Sequence, residues 1–382
     1  MVETITASRL RERIDMGESF TLLDTRPEES YEAWHIRDAI QYTYDPDSEF
    51  DAGEFRSRTG LTPDDEIVTI CAKGISSFDI AKQLQDTGYE NVTVVEDGME
   101  GWSEVYDVVE IPTASDVEIV QFQRRAKGCL SYLIGDPASS LAAVVDPTRH
   151  VERVAAAASE RDYSIEFVFD THVHADHVSG GRELADHVGA TYYLGADAAD
   201  RGVVYDYRPL ERNDVVAVGD HDIKTVPSPG HTSEIVSYLV DDEAVLTGDT
   251  LFVDSVGRTE LQFGNSDADA GAKLLYESLH RTLLAEPDSV TVLPGHFSIG
   301  ADGTTDVTPG EPVSTTIGQV RTELELLNVD RETFVRQLTA ALPEKPPNYE
   351  RIIDINVGRD AADEAATTEL ELGPNNCAAT GD

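Results

Sequence analysis

The sequence predicts a two-domain α/β protein, with a parallel sheet covered by helices followed by two mixed sheets with helices outside. Three observations predict it. Short apolar, β-prone runs alternate with helical patterns over the first hundred residues, as in a sheet buried on both faces. A break containing Pro112 follows at residues 106–116. A second, longer series of strands and helices then begins, and 382 residues suffice for two cores of ordinary size.

In the first domain the pattern places helices at 7–15, 27–34, 51–58 and 78–86. Strands are placed at 20–23, 66–70 and 92–95. Asp97-Gly-Met-Glu-Gly-Trp102 closes the unit. The chemistry sits in Cys71-Ala-Lys-Gly-Ile-Ser76, at the end of the strand 66–70. Ser76 or Ser77 can cap the helix that follows. Loop amides and a helix N-terminus both favour an anion, so the Cys71 thiol is expected to be acidified and nucleophilic.

In the second domain, residues 106–116 read as a linker. Strands are expected at 117–122, 130–134, 142–145, 165–169, 191–194, 215–218, 223–226, 235–240, 244–246 and 290–293. Helices are expected at 150–160, 181–187, 269–284, 317–327 and 331–341. Beyond about residue 354 the chain is polar and rich in Ala, Thr and Asn, hence expected to be disordered. Cys377 would be a mobile free thiol there. The boundaries are 2–108, 116–345 and a C-terminal extension at 346–382.

The formal net charge is −44, with only six lysines against 73 acidic residues. Self-repulsion of this size repels nucleic acid and is relieved by salt. Because the acids are spread along the chain, the charge is read as a halophilic adaptation to solvent, not as an interaction tail. No apolar run approaches the length of a membrane span. The N-terminus has neither a basic nor an apolar signal region, so a cytoplasmic location is expected. Nucleic-acid and membrane partners are excluded on this reading, and a homo-oligomer is admitted. The three cysteines, Cys71, Cys129 and Cys377, lack disulfide or zinc-ribbon spacing. Cys129, on a strand, reads as core.

The second domain is organised around Thr171-His-Val-His-Ala-Asp-His-Val-Ser-Gly180. His172, His174, Asp176 and His177 crowd onto a turn at a strand end, and imidazole and carboxylate suit zinc, iron or manganese. A packed core has no use for so many polar groups together unless each finds a partner. His231, Asp249 and His296 add ligands at later strand ends, each directly after glycine. Asp146 can hold the second nitrogen of a ligand histidine or cap a turn. His150, His187, His221 and His280 read as structural or solvated.

On these residues the first domain resembles a rhodanese (sulfurtransferase) domain, through Leu22-Leu-Asp-Thr-Arg26, His35-Ile36, the Cys71 loop and the segment 97–102. The resemblance implies that Cys71 is the catalytic cysteine. It would carry a persulfide sulfur cradled by the loop at Lys73, Gly74 and Ser76. A cysteine phosphatase would need arginine where Ser77 stands.

The ordered set from His172 to His296 resembles the metallo-β-lactamase superfamily, which implies an αββα sandwich. Two activities in that superfamily fit. One is a dinuclear thioester hydrolase of the glyoxalase II kind, with two zinc ions or mixed metals. His172, His174 and His231 would hold one ion, Asp176, His177 and His296 the other, and Asp249 would bridge. The other is a persulfide dioxygenase with one Fe(II) per chain on His172, His231 and Asp249. It would oxidise a low-molecular-weight thiol persulfide with dioxygen to sulfite plus thiol, and Cys71 would pass sulfur to sulfite or thiosulfate. A non-enzymatic sulfur carrier or persulfide sensor is the third reading.

Three features lead the sequence to favour the dioxygenase. Arg258, followed by Glu260, resembles the arginine with which dioxygenases hold a substrate carboxylate. The chain lacks the longer C-terminal helical region that glyoxalase II uses for glutathione. The attached rhodanese handles sulfane sulfur, and Pro346-Pro-Asn-Tyr349 resembles the end of rhodanese-linked members.

Overall fold

A strand whose four residues are all buried can only lie inside a sheet covered on both faces, and Ile67–Ile70 is such a strand. The computed structural model describes all residues except 1, 49, 265–266, 341, 343–344, 347, 376 and 380–382. In it, Ile67–Ile70 lies at the centre of a five-stranded parallel sheet. The order is Glu3–Ile5, Val92–Val95, Ile67–Ile70, Thr21–Asp24, Ile40–Gln41. One face packs on Leu10, Trp34, Met99 and Trp102, the other on Phe55, Ile80, Leu84 and Tyr89.

The expected linker is instead a strand. Tyr106–Ile111 pairs antiparallel with Glu118–Arg124 and forms one edge of a seven-stranded sheet. Val109 and Ile111 point inward while Val108 and Glu110 stay exposed. That period of two was masked in the sequence by the acidic residues and Pro112 beside it. Only a short turn separates the two strands.

The seven-stranded sheet faces a six-stranded one running from Val215–Val218 to Thr315–Thr316. Between them lies a core of Ile119, Tyr132, Phe169 and Tyr193 from one sheet and Ile223, Tyr238, Leu246 and Leu293 from the other. Helices Val151–Glu160 and Gly181–Val188 cover the first sheet. Ala268–Arg281, Ile317–Glu323 and Arg331–Ala340 cover the second, which completes an αββα sandwich. The residue expected to end the last of these helices, 341, lies outside the described residues. Among the described residues no helix is long and apolar enough to cross a membrane.

The C-terminal extension departs most from expectation. Tyr349–Asn356 and Glu364–Leu370 are helices, and Ile352, Val357 and Leu370 are buried. (Pro347 of the 346–349 stretch lies outside the described residues.) Glu371, also buried, accepts from Arg124 at 2.8 Å and from Arg149 at 3.0 Å. Burial would raise its pKa, but the two guanidinium charges hold it at about 2. A few apolar anchors and one buried ion cluster order a segment whose composition reads as loop. Removing one partner of such a pair strands the other in the interior. Glu371→Ala is therefore expected to lower unfolding free energy by roughly 3–5 kcal/mol, measured by denaturant titration in high salt. A change indistinguishable from zero would contradict the packing of this segment.

Candidate metal centre

Strand Ser164–Phe169 runs out at the mouth between the sheets, and the turn after it is held by carboxylates on either side. Asp146, at φ +50° after strand Leu141–Val145, accepts from the Thr171 amide at 2.6 Å and its hydroxyl at 2.9 Å. Asp170 accepts from Ser179 at 2.5 Å and Tyr192 at 2.6 Å. The turn is then locked by the C-terminal extension. Asn356 donates to the His174 and His177 carbonyls, and Glu371 accepts from the Val178 amide. Neither contact was legible in the sequence, because about 180 residues separate the partners.

These bonds set the histidine tautomers. Thr171 Oγ1 donates to Asp146, so it accepts from His172 Nδ1 at 2.9 Å and leaves Nε2 with a lone pair. His231 Nδ1 donates to the Arg258 carbonyl at 2.7 Å, again freeing Nε2. His174 Nε2 lies 3.3 Å from Asp146, an ion-pair distance without a hydrogen bond, and 3.9 Å from Asp170. Asp249 follows strand Ala244–Gly248, with Oδ2 3.5 Å from His231 Nε2 and 3.8 Å from His172 Nε2. Its other oxygen lies 2.6 Å from His296 Nδ1, and His296 Nε2 lies 3.0 Å from Asp176. His177 Nδ1 is 3.1 Å from Asp176.

All seven predicted ligands are at most 3% exposed. His172 Nε2, both ring nitrogens of His174, His177 Nε2 and Asp249 Oδ2 are buried without a hydrogen-bond partner. Several orphaned lone pairs in one crevice are costly unless a cation joins them. Among the described residues four groups of ligand atoms meet the spacing for an ion: His172, His231 and Asp249; Asp176, His177 and His296 with Cys129; Asp249 and His296 with Cys377; and, apart from these, His174 with Asp146 and Asp170. The donor set therefore fits metal, and Asp249 faces the first two groups.

Cys129 was read as core. It is buried, but its Sγ stands 3.5 Å from Asp176 and 3.6 Å from His177 Nδ1. Burial pushes this thiol up, yet the His177 and His296 charges and the His177 hydrogen bond together bring it down to about 7. The bridge between Cys129 and His296 puts it there, a pairing with no local signal. Arg258 is likewise buried, and its Nε donates to Glu260 at 2.5 Å. A carboxylate of this chain already matches its charge. His150 bonds Tyr106 at 2.9 Å, and His221 lies 2.6 Å from Asp241.

In the first domain Cys71 is buried at the end of its strand, ahead of helix Ile75–Asp86. Gly74, not a serine, is the N-cap residue, at φ +78°, where a Cβ would stand 2.9 Å from the Asp97 amide nitrogen. That frees Ser77 to donate to Cys71 Sγ at 3.3 Å. Burial raises the thiol's pKa, but hydrogen bonds from Ser76, Ser77 and the Lys73 amide leave it lowered. The Lys73 side chain points outward to Glu100 at 3.0 Å.

The two halves of the metal centre differ in proton affinity. Burial, then the neighbouring His174 charge, pulls His172 well below the usual imidazole range, and burial lowers His231 too. In His177 and His296 burial is outweighed by nearby carboxylates and the Cys129 thiolate, which hold both well above that range. Burial would lower His174 of the first half, but Asp146 and Asp170 leave it raised, so an ion at Asp176–His177–His296 competes with protons at two raised imidazoles and an ion in the first half at a single one. As pH falls, that ion should leave first, in a two-step loss of metal read by elemental analysis after dialysis. Loss of both in a single step would contradict the difference.

Residues 6–105 match the rhodanese-like domain family and residues 124–296 the metallo-beta-lactamase superfamily. The hydroxyacylglutathione hydrolase of Dictyostelium discoideum is 32% identical over 174 residues, 44% of this chain and 61% of that protein. The enzyme of the same name from Brucella anthropi is 29% identical over 264 residues, 67% of this chain and 96% of that protein. The chain thus spans about three fifths of the Dictyostelium relative and nearly all of the Brucella anthropi one. Among solved structures, a metallo-beta-lactamase from Staphylococcus aureus aligns with a TM-score of 0.58 and 25% identity, over 65% of this chain and 74% of that one. ETHE1 from Myxococcus xanthus aligns at 0.53 and 30%, over 63% and 98%.

The names of the curated relatives overturn the persulfide dioxygenase expectation, since they are hydrolases. In the structure Arg258 Nε donates to Glu260, and two short C-terminal helices, Tyr349–Asn356 and Glu364–Leu370, end at the residues that contact the histidine turn, Asn356 and Glu371. The chain carries an N-terminal rhodanese-like domain and, through its second domain, belongs to the metallo-beta-lactamase superfamily.

Proposed function

We propose that the second domain is a dinuclear metal-dependent thioester hydrolase acting on an acylated low-molecular-weight thiol, as the name hydroxyacylglutathione hydrolase says of its relatives. The observation that carries this reading is Asp249, whose Oδ2 faces His172 and His231 while its Oδ1 faces His296. His172, His174 and His231 would hold one ion, and Asp176, His177 and His296 the other. Two zinc ions or a mixed pair suit imidazole and carboxylate donors. When bound, such a pair acidifies water and polarises the thioester carbonyl.

The chain's own residues do the positioning. Thr171 and the Arg258 carbonyl fix which nitrogen of His172 and His231 carries its proton, and Asp146 lies 3.3 Å from the His174 ring. The Tyr238 hydroxyl donates to the Asp170 carbonyl at 3.0 Å, which holds the start of the turn to the opposite sheet. Deep burial of the ligands limits solvent at the reacting centre and strengthens electrostatic interactions there.

For the first domain, the lowered Cys71 thiol supports a sulfur-carrying role. The thiolate would attack the outer sulfur of a thiol persulfide, form Cys71–S–SH and release the thiol. Sulfite could then accept that sulfur as thiosulfate.

The purified chain should cleave a hydroxyacyl thioester without consuming oxygen, measured in high salt to screen its charge. Asp249→Ala should abolish cleavage, and unaltered cleavage would overturn the bridging role. Asp146→Ala should lower metal affinity or rate by roughly 10–100-fold, since it frees the His174 ring. Cys71→Ser should remove persulfide uptake, seen by mass, and leave thioester cleavage intact; a parallel loss of cleavage would contradict two independent sites.

A further inference from the structure

Beyond the seven ligands, a second thiol reaches the metal centre from the far end of the chain. Cys377 was expected to be mobile, but it is 1% exposed. Its Sγ lies with ligand atoms of Asp249 and His296 in a group whose members are all within 4.8 Å of one another. Asp249 Oδ2, wholly buried and without a hydrogen-bond partner, belongs to the same crevice.

The backbone around Cys377 is fastened on both sides. Upstream, Glu371 sits between Arg124 and Arg149, Lys127 Nζ donates to the Gly373 carbonyl at 3.3 Å, and the Asn375 amide donates to the Lys127 carbonyl at 3.0 Å. Asn375 Nδ2 also donates to the Phe297 carbonyl, next to His296. Downstream, Ala378 makes an antiparallel bridge with Gly257. The Cys377 carbonyl accepts from the Arg258 amide at 3.1 Å, and the Ala379 amide donates to the Val256 carbonyl at 2.9 Å. These contacts lay the segment across the loop after Asp249 and aim one side chain at the ligands.

A catalytic metal site keeps a position open for water or substrate, and a thiolate is a strong ligand for zinc, cobalt or iron. We propose that Cys377 is an additional, displaceable ligand of the metal centre, delivered by a C-terminal strap that closes the site on the Asp249–His296 side. On binding, the thiol gives its proton to solvent and forms a sulfur–metal bond, with no change of oxidation state. A thiol-containing substrate or product would compete with it for the same position. The proposal rests on the presence of a metal centre but not on which thioester is cleaved.

Cobalt(II) loaded into the full-length protein tests this without reference to turnover, because a thiolate ligand produces an intense near-ultraviolet charge-transfer band that nitrogen and oxygen ligands lack. The native protein should show the band. Cys377→Ser should lose most of it with cobalt content and circular dichroism unchanged, while Cys129→Ser should keep most of it. Adding 2-mercaptoethanol to Cys377→Ser should restore a thiolate band from outside. A cobalt-loaded native protein without the band would overturn the proposal, as would a band that survives Cys377→Ser and vanishes in Cys129→Ser. Should Cys377→Ser not fold, Cys377→Ala and the band's sensitivity in Cys129→Ser decide between the two thiols. A count of one cobalt per chain would sink the dinuclear reading instead, and the band would still decide the strap.

Discussion

Seven imidazole and carboxylate ligands are buried together at the mouth of a β-sandwich, and much of the surrounding structure serves to make that burial tolerable. A histidine taken out of water must place both ring nitrogens. Here one nitrogen of His172 is committed to Thr171 and one of His231 to the Arg258 carbonyl, while His174 faces Asp146 at 3.3 Å. The other nitrogen of His172 and of His231 is left for an ion. The second half is arranged differently, with His177 and His296 against carboxylates of the site itself. The asymmetry gives the two halves different affinities for protons, and so for metals.

The same constraint explains why the chain continues past the sandwich. The turn that carries His172 to His177 exposes backbone groups that no sheet pairs. Asn356 and Glu371 satisfy them from the C-terminal extension, and Arg124 and Arg149 compensate the buried Glu371 charge. The extension is therefore part of the support of the metal centre. Its continuation to Cys377 brings a thiol to the ligands on the opposite side.

The layered fold was largely legible because strand–helix alternation and strand-end glycine motifs are local signals. The seven candidate ligands could be singled out for the same reason, since each sits in a short motif at a strand end, and the structure buries all of them. Three kinds of feature were not. Tyr106–Ile111 hid as a linker because acidic residues and Pro112 obscured its alternation. Cys129 and Cys377 carried no motif, and only a cross-strand bridge and the strap bring them to His296. Arg258 had a motif, but its contact with Glu260 and its burial are set by the fold and not by that motif. The choice between oxygen chemistry and hydrolysis was settled against the sequence's preference by the names of the relatives, not by any local motif.

The central claim is that Asp249 joins two metal positions and does not complete one. Anomalous diffraction from crystals of the metal-loaded protein tests it most directly. The account predicts two peaks, one among His172, His174 and His231 and the other among Asp176, His177 and His296, with Asp249 between them. A single peak held by His172, His231 and Asp249 alone would contradict it.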